Sequence, residues 1–190
     1  MRLLAPALLL SGAAMAQDRP PTLPQRDVAA VYRVDGVAAA ALPGGVPGPL
    51  HLEWDAAGQR LRVSAEGRTQ VAIVDLPGRQ ALIVDAGMRT ALALEMKAGA
   101  LRLDGARFTR QGTDRVVGLA CTVYAVQDRQ GAGTLCVTAD GVPLRGSGTY
   151  RGKAGSFTAL SVNYAAQPAS LFTVPTGYLQ LALPSMGGHR

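Results

Sequence analysis

Alternation of apolar and polar residues over 50–96 restricts what this chain can fold into. Residues 50–54 read Leu-His-Leu-Glu-Trp, and residues 60–65 read Arg-Leu-Arg-Val-Ser-Ala. A period of two places every second side chain on the same side of a β-strand. Runs this short are not amphipathic helices of ordinary length. Turn-forming sequences separate the runs, and they lie at 55–58, 66–67, 76–79 and 85–87. The segment therefore predicts an antiparallel meander, which continues with Val/Ile/Leu-rich strands at 69–75, 80–85 and 89–96.

The rest of the chain extends this pattern. Within the meander, Pro77-Gly78 fits the two central positions of a type II turn, in which glycine takes the positive φ. Further β-like runs are separated by Gly-rich turns, and they lie at 27–34, 115–127, 133–139, 142–150, 156–165 and 179–183. Gly146 and Gly148 interrupt one of these strands and indicate a bulge or a bend. We predict a single, mainly β domain over 27–190, namely an open and curved antiparallel sheet or half-barrel of about ten strands with little helix.

The first sixteen residues have the features of a secretory signal peptide. Arg2 precedes the apolar run 3–10, and Ala14 and Ala16 form the small-residue cleavage pattern. Gln17 rather than Cys follows, so a lipid-anchored product is not expected. Residues 17–26 are rich in Pro and polar side chains, and we expect an extended lead-in that does not pack. The sequence thus predicts a protein that is exported to the periplasm and cleaved near Ala16.

The positive charge of the chain is dispersed. The formal net charge is +6, and Asp and Glu lie between the basic residues. Nucleic-acid binders concentrate Lys and Arg on one face, so this distribution argues against a nucleic-acid partner. Peripheral contact with anionic lipid head groups remains an alternative. Many of the arginines lie in the first two thirds of the chain: Arg60, Arg62, Arg68, Arg79, Arg89, Arg102, Arg107, Arg110 and Arg115.

Two cysteines, Cys121 and Cys136, predict a disulfide. An even number of cysteines in an exported chain favours a bond between them. The turn-like segment 128–131 lies between two β-like runs, and a hairpin closed there would set the two cysteines opposite each other. A redox-active pair is more often C-x-x-C, so we expect a structural bond.

No catalytic, metal-binding or cofactor-binding constellation emerges. His51 and Glu53 share the polar side of one strand, and an exposed cross-strand pair explains them without chemistry. Glu53 and Asp55 are spaced like glycosidase carboxylates, but Asp55 opens a turn in which Asp is favoured for its own hydrogen bonds. No phosphate-binding glycine motif precedes a helix. We therefore expect a non-enzymatic protein with no cofactor and no metal.

Four stretches of the later half carry a recognisable pattern, namely Phe108–Gly112, Gly118–Thr122, Cys136–Arg145 and Tyr164–Ala169. Together they resemble a family of uncharacterised exported proteins of Gram-negative bacteria, which is distantly similar to the lipoprotein-carrier (LolA/LppX-like) superfamily. The resemblance implies a strongly curved antiparallel half-barrel whose concave face can hold an acyl chain under a helical lid. This sequence differs in having almost no predicted helix to form that lid.

These features lead to a functional hypothesis. We expect six apolar residues of the meander to share one face and to form the binding surface for an acyl chain, a lipid or an apolar segment of another envelope protein. Either residues 35–49, 97–113 and 167–183 fold over this face, or part of it stays open as a groove. The alternative is a protein-interaction or structural module with no small ligand. The six residues are Leu52, Trp54, Leu61, Val63, Val71 and Ile73.

Overall fold

The computed structural model describes residues 19–36, 48–96 and 105–182. The predicted signal peptide and parts of the three proposed covering segments, namely 37–47, 97–104 and 183, lie outside the described residues. The described strands confirm a mainly β chain, and a single 3-10 turn at Ala169–Phe172 supplies the helix. The strands are β1 (Val28–Gly36), β2 (Leu50–Asp55), β3 (Arg60–Ala65), β4 (Gln70–Asp75), β5 (Gln80–Asp85), β6 (Thr90–Glu95), β7 (Arg107–Val116), β8 (Leu119–Gln127), β9 (Gly131–Val137), β10 (Pro143–Tyr150), β11 (Lys153–Asn163) and β12 (Leu179–Ala182).

All twelve strands belong to one open sheet. Their order is β12-β6-β5-β4-β3-β2-β1-β11-β10-β9-β8-β7. Each neighbouring pair is antiparallel except β12–β6, which is parallel. The meander β2–β6 and the later meander β7–β11 thus meet at β1, which pairs with both β2 and β11.

Four-residue loops close the hairpins of the first meander, and an aspartate stabilises three of them. The carboxylate at the end of the first strand accepts a hydrogen bond from a loop amide three residues on, which is the local bonding for which Asp is favoured in turns. The pairs are Gly58 N to Asp55 Oδ1 (3.0 Å), Gly78 N to Asp75 Oδ1 (2.8 Å) and Met88 N to Asp85 Oδ1 (3.0 Å). The positive φ in the 76–79 loop belongs to Arg79 (51°) and not to Gly78, so the type II turn predicted for Pro77-Gly78 is wrong.

The register divides the predicted apolar set between the two faces of the sheet. Trp54 pairs with Leu61, and Leu52 pairs with Val63. Directly opposed residues point to the same side, so these four share one face, which we call the inner face. Val63 is opposed by Ala72 and not by Val71 or Ile73. The prediction that all six residues share a face is therefore wrong for Val71 and Ile73, which lie on the outer face.

Residues 19–27, which we call the strap, pack onto the inner face. Leu23 contacts the main core, and the Trp54 indole Nε1 donates to the Pro24 carbonyl at 2.8 Å. Arg26 pairs with Asp140 at 2.7 Å, between Nη2 and Oδ2. The expectation that this segment is too polar to pack is therefore wrong, because the Leu23 side chain, the Pro24 carbonyl and the Arg26 guanidinium all make contacts with the sheet or its turns.

The tail that follows β11 packs against the outer face. Phe172 is buried in a second core with Ile73, Val84 and Ala91. The Arg60 guanidinium lies over the Phe172 ring at 5.1 Å. This part of the predicted cover does fold over the sheet, but it covers the outer face and not the face that carries Trp54.

The predicted disulfide between Cys121 and Cys136 is present, with the two Cα atoms 5.4 Å apart. Its register differs from the prediction, since Cys136 is directly opposed by Val123. The bond therefore joins diagonal neighbours. The hairpin closes through Asp128 N donating to Gly131 O, one position later than direct opposition of the cysteines would require.

Candidate functional site: an apolar groove on the inner face

The four predicted ligand-binding residues that lie on the inner face are largely buried in the core. Trp54 is 2% exposed and is enclosed with Val28 and Ala30. Leu52 and Leu61 are partly buried against the same cluster, and Val63 is half-buried. Near Trp54 the chain thus provides much of its own packing through the strap. Ligand binding by these residues stays a prediction.

A groove opens elsewhere on the inner face, across β8–β11. Its volume is about 250 Å³, and Val126, Leu135, Tyr150 and Phe157 are among the residues that line it. Leu135 and Phe157 are both opposed by Gly146, and Val126 is opposed by Gly133. The register therefore sets these apolar side chains on one side of the sheet, and the pairing of Phe157 with Val34 of β1 identifies it as the inner face.

Glycines form the floor of the groove. Gly133, Gly148 and Gly155 are opposed in register on three neighbouring strands. A Cβ added at Gly133 would collide with the Ser147 carbonyl oxygen, and one added at Gly148 would collide with the Ala132 carbonyl oxygen. The neighbouring backbones approach too closely here for any other residue. The missing side chains leave a trough between the apolar walls.

The sheet curves towards the inner face beside this groove. The Tyr32 hydroxyl donates to the Pro143 carbonyl at 2.8 Å. Tyr32 lies on β1 and Pro143 on β10, so its side chain reaches across β11. The Tyr32 ring also meets the Phe157 ring edge-on, with centroids 5.8 Å apart. Burial raises the pKa of Tyr32, so this phenol stays neutral and retains its hydrogen bond as a fixed brace behind the groove wall.

Basic side chains border one end of the groove. Tyr150 is 46% exposed and is directly opposed by Lys153, so both project from the inner face. The Arg151 guanidinium lies over the Tyr150 ring at 5.3 Å and donates from Nε to Gln130 Oε1 at 3.1 Å. Asp128 also lines the groove, and its Oδ1 accepts the Gln130 and Gly131 amides of the turn.

The carboxylates considered for catalysis are each paired with an arginine. Glu53 Oε2 lies 3.0 Å from Arg62 Nη1, and Asp55 Oδ2 lies 2.6 Å from Arg60 Nη2. Hydrogen bonds from the Gly58 amide and from Arg60 lower the pKa of Asp55. A carboxylate held in its ionised form is a poor general acid, and the glycosidase interpretation gains no support. The described residues contain no group of three His, Cys, Asp or Glu side chains that could hold a metal ion.

The spacing of glycines in the sequence is a signal for the groove that the pattern of a single strand does not reveal. Glycines recur with a period of two at 131 and 133 and again at 146 and 148. Such spacing removes side chains from one face only of a strand. Within one strand, Gly146 and Gly148 predict only a bulge or a bend, and the groove appears only when β9 and β10 are paired.

Comparisons with solved structures support the fold. No protein-family model matches the sequence, and no curated protein matches it. An uncharacterized conserved protein from Thermus thermophilus aligns with a TM-score of 0.57 at 12% identity, over 84% of this chain and 91% of that one. MucB aligns with a TM-score of 0.55 at 15% identity, over 83% of this chain and 60% of its own.

A structure titled MucB in complex with MucA(peri) aligns with a TM-score of 0.51 at 16% identity, over 82% of this chain and 56% of that one. The chain thus spans little more than half the length of the MucB structures it matches. At such identities the likeness shows the fold alone, an open curved sheet. The resemblance to the lipoprotein-carrier superfamily stays a prediction. No helix among the described residues is long and apolar enough to cross a membrane.

Proposed function

We propose that this protein is a non-enzymatic binding protein of the bacterial cell envelope that holds an apolar group, such as an acyl chain, on the inner face of its sheet. The observation that carries the proposal is the groove beside Leu135 and Phe157, whose floor of Gly133, Gly148 and Gly155 lacks side chains. Ligand sites are mostly apolar concavities with few polar groups. A periplasmic location fits the Cys121–Cys136 disulfide, because such bonds persist in oxidising compartments.

The size of the groove limits its occupant. About 250 Å³ lies just below the range of roughly 300–1,000 Å³ that is usual for drug-sized ligands. A single chain or a short apolar segment fits this space better than a lipid with several acyl chains. The proposal is thus narrower than the expectation from the sequence, which included any lipid.

A chain-length series of single-chain amphiphiles tests the proposal. Burying one methylene contributes about 0.8 kcal/mol, which is about a fourfold gain in affinity. Affinity for the purified protein, measured by isothermal titration below the micellar concentration, should rise by this step until the groove is filled and should then level off. Affinity that does not change with chain length would contradict the proposal.

Matched variants locate the binding. Leu135→Gln places an amide in the groove wall and should weaken binding at least tenfold. Leu160→Gln makes the same change at an exposed leucine of β11 that does not line the groove, and it should leave affinity unchanged. Thermal melts of both variants control for folding. Equal affinities for the two folded variants would place the ligand elsewhere and overturn the assignment of this groove.

A second candidate function is a protein-interaction module. The observation that favours it is the structural likeness to MucB, which is described in complex with MucA(peri). In this case the partner would be an apolar segment of another envelope protein. Native mass spectrometry of protein purified from the periplasm separates the two functions, because a co-purified small amphiphile supports the first and a co-purified protein chain supports the second.

A further inference from the structure

We propose that the ligand of the groove is a single-chain amphiphile with a carboxylate head, whose chain lies over the glycine floor beside Leu135 and Phe157 and whose head meets Arg151 and Lys153. This inference rests on the proposed function and adds the charge of the ligand's head group and the orientation of the ligand in the groove. The separate observation behind it is that the walls of the groove are apolar, whereas Arg151 and Lys153 flank Tyr150 at the end where Asp128 also lies.

The topology assembles that basic end. The β8–β9 turn and the β10–β11 turn lie side by side, since the Arg151 amide donates to the Gln130 carbonyl at 2.7 Å. Residues 128–131 contain one Asp and one Arg, and residues 150–153 contain one Arg and one Lys. The three basic charges and one acidic charge leave these two turns with a net charge of +2. The Asp128 carboxylate already accepts two turn amides at 2.7 and 2.8 Å.

Arg151 and Lys153 are both placed to bind an anion at the Tyr150 end of the groove, which we call its mouth. Lys153 is opposed to Tyr150, which lines the groove, so the two side chains leave the sheet on the same side. Arg151 lies over the Tyr150 ring. A guanidinium has five N–H donors, so the bond from Nε to Gln130 leaves capacity for a carboxylate. Both residues are exposed, so the head would remain in contact with water while the chain is buried.

The volume and the charge together favour a monocarboxylate. The groove admits one chain, and two exposed cations can neutralise one carboxylate without desolvating it. Charge complementarity at an exposed rim contributes selectivity between heads rather than most of the affinity. The preference for an anionic head should therefore weaken with salt, whereas the contribution of the chain should not.

The experiment compares three heads on one chain. Laurate, dodecanol and dodecyltrimethylammonium are titrated into the protein below their micellar concentrations. We expect laurate to bind at least tenfold more tightly than dodecanol and the cationic amphiphile to bind most weakly. Arg151→Gln/Lys153→Gln should reduce the affinity for laurate to that for dodecanol while leaving the affinity for dodecanol unchanged.

Arg33→Gln is the control, because Arg33 is an exposed arginine that alternates with Tyr32 and Val34 and so leaves β1 on the outer face. It should not change the laurate preference. Equal affinity for laurate and dodecanol in the unmodified protein would overturn the inference while leaving the proposed function intact. Failure of all three amphiphiles to bind would remove both. A laurate preference that survives Arg151→Gln/Lys153→Gln would overturn the assignment of these two residues.

Discussion

Reduction of the Cys121–Cys136 disulfide should destabilise the protein by a calculable amount. The bond closes a loop with a sequence separation of 15. The loss of chain entropy in the unfolded state for such a loop corresponds to about 3 kcal/mol. Total stabilities of single domains are about 5–15 kcal/mol, so this is a substantial share. For a chain of this size the expected fall in Tm is about 6–12 °C.

Calorimetric melts of oxidised and reduced protein measure the effect. Both cysteines are buried, at 4% and 3% exposure. Substitution to alanine would add the cost of lost packing, whereas reduction leaves both sulfurs in place. Cys121→Ala/Cys136→Ala should therefore melt no higher than the reduced protein. A reduced protein that melts within about 2 °C of the oxidised form would refute the loop-entropy reasoning, and thiols that titrate in the unfolded, unreduced protein would refute the bond.

The position of the disulfide in the sheet predicts which part of the protein loosens first on reduction. Cys136 lies at the end of β9, next to the turn in which the Thr138 amide donates to the Val142 carbonyl and the Val142 amide donates to Thr138 Oγ1. Reduction should loosen this turn before the rest of the sheet. Hydrogen exchange should accelerate at the Val142 amide while the Ile73 amide of β4 is unaffected at the same temperature. Equal acceleration at both amides would show that the bond acts only on global unfolding.

Two further predictions concern the tail after β11 and the anchor of the strap at Asp140. Phe172→Ala should lower the free energy of unfolding, measured with denaturant, by about 3–5 kcal/mol, because the ring is buried in the outer core. Leu179→Ala is the control, since Leu179 is exposed, and it should cost no more than about 0.5 kcal/mol. Similar costs for the two variants would contradict the assigned role of the tail. Burial raises the pKa of Asp140, but hydrogen bonds from Thr138, Arg26 and Tyr164 outweigh it and hold that pKa below 3.8. The stability that Asp140 contributes is therefore fully present above pH 3.8 and is lost as the pH falls through the lowered pKa. The Tm of the unmodified protein and of Asp140→Asn should be measured against pH, and the difference between them should shrink below pH 3.8. A difference that stays constant would contradict the linkage.

The presence of the strands was predictable from the sequence, but it was not predictable which side chains of neighbouring strands lie on the same face of the sheet. β4 reads Gln-Val-Ala-Ile-Val-Asp, which is apolar on both sides, so its pattern does not define an inward face. The four-residue loop between Ala65 and Gln70 decides the register, and Ser64 is opposed by Val71. An even number of loop residues makes odd positions of one strand share a face with even positions of the next. The two-residue period within β4 does not say which alternate set faces Trp54, and the loop length assigns Ala72 and not Val71 or Ile73 to that face.

The groove could not be predicted because its parts are distant in the chain. Val126 and Phe157 are brought to one site only through β9 and β10. Glycine within a strand pattern indicates a bulge or a close backbone approach, and the sequence does not distinguish a local bend from a row aligned across strands. The alignment of Gly133, Gly148 and Gly155 depends on the registers of two hairpins. Single-strand patterns contain no such information.

Curvature alone accounts for the glycines but not for the walls of the groove. The backbone approaches at Gly133 and Gly148 would exclude any larger residue even if nothing bound there. Polar residues at the exposed positions beside such a bend would serve the fold equally well, because apolar area left in water contributes no burial energy. Tyr150, at 46% exposure, instead keeps an aromatic ring at the mouth, and Leu135 remains only half-buried on the inner face. At two other places the chain covers the sheet itself, with the strap over Trp54 and the tail over Ile73. The requirements of the fold therefore explain the floor of the groove, and the apolar walls are the part that favours a ligand.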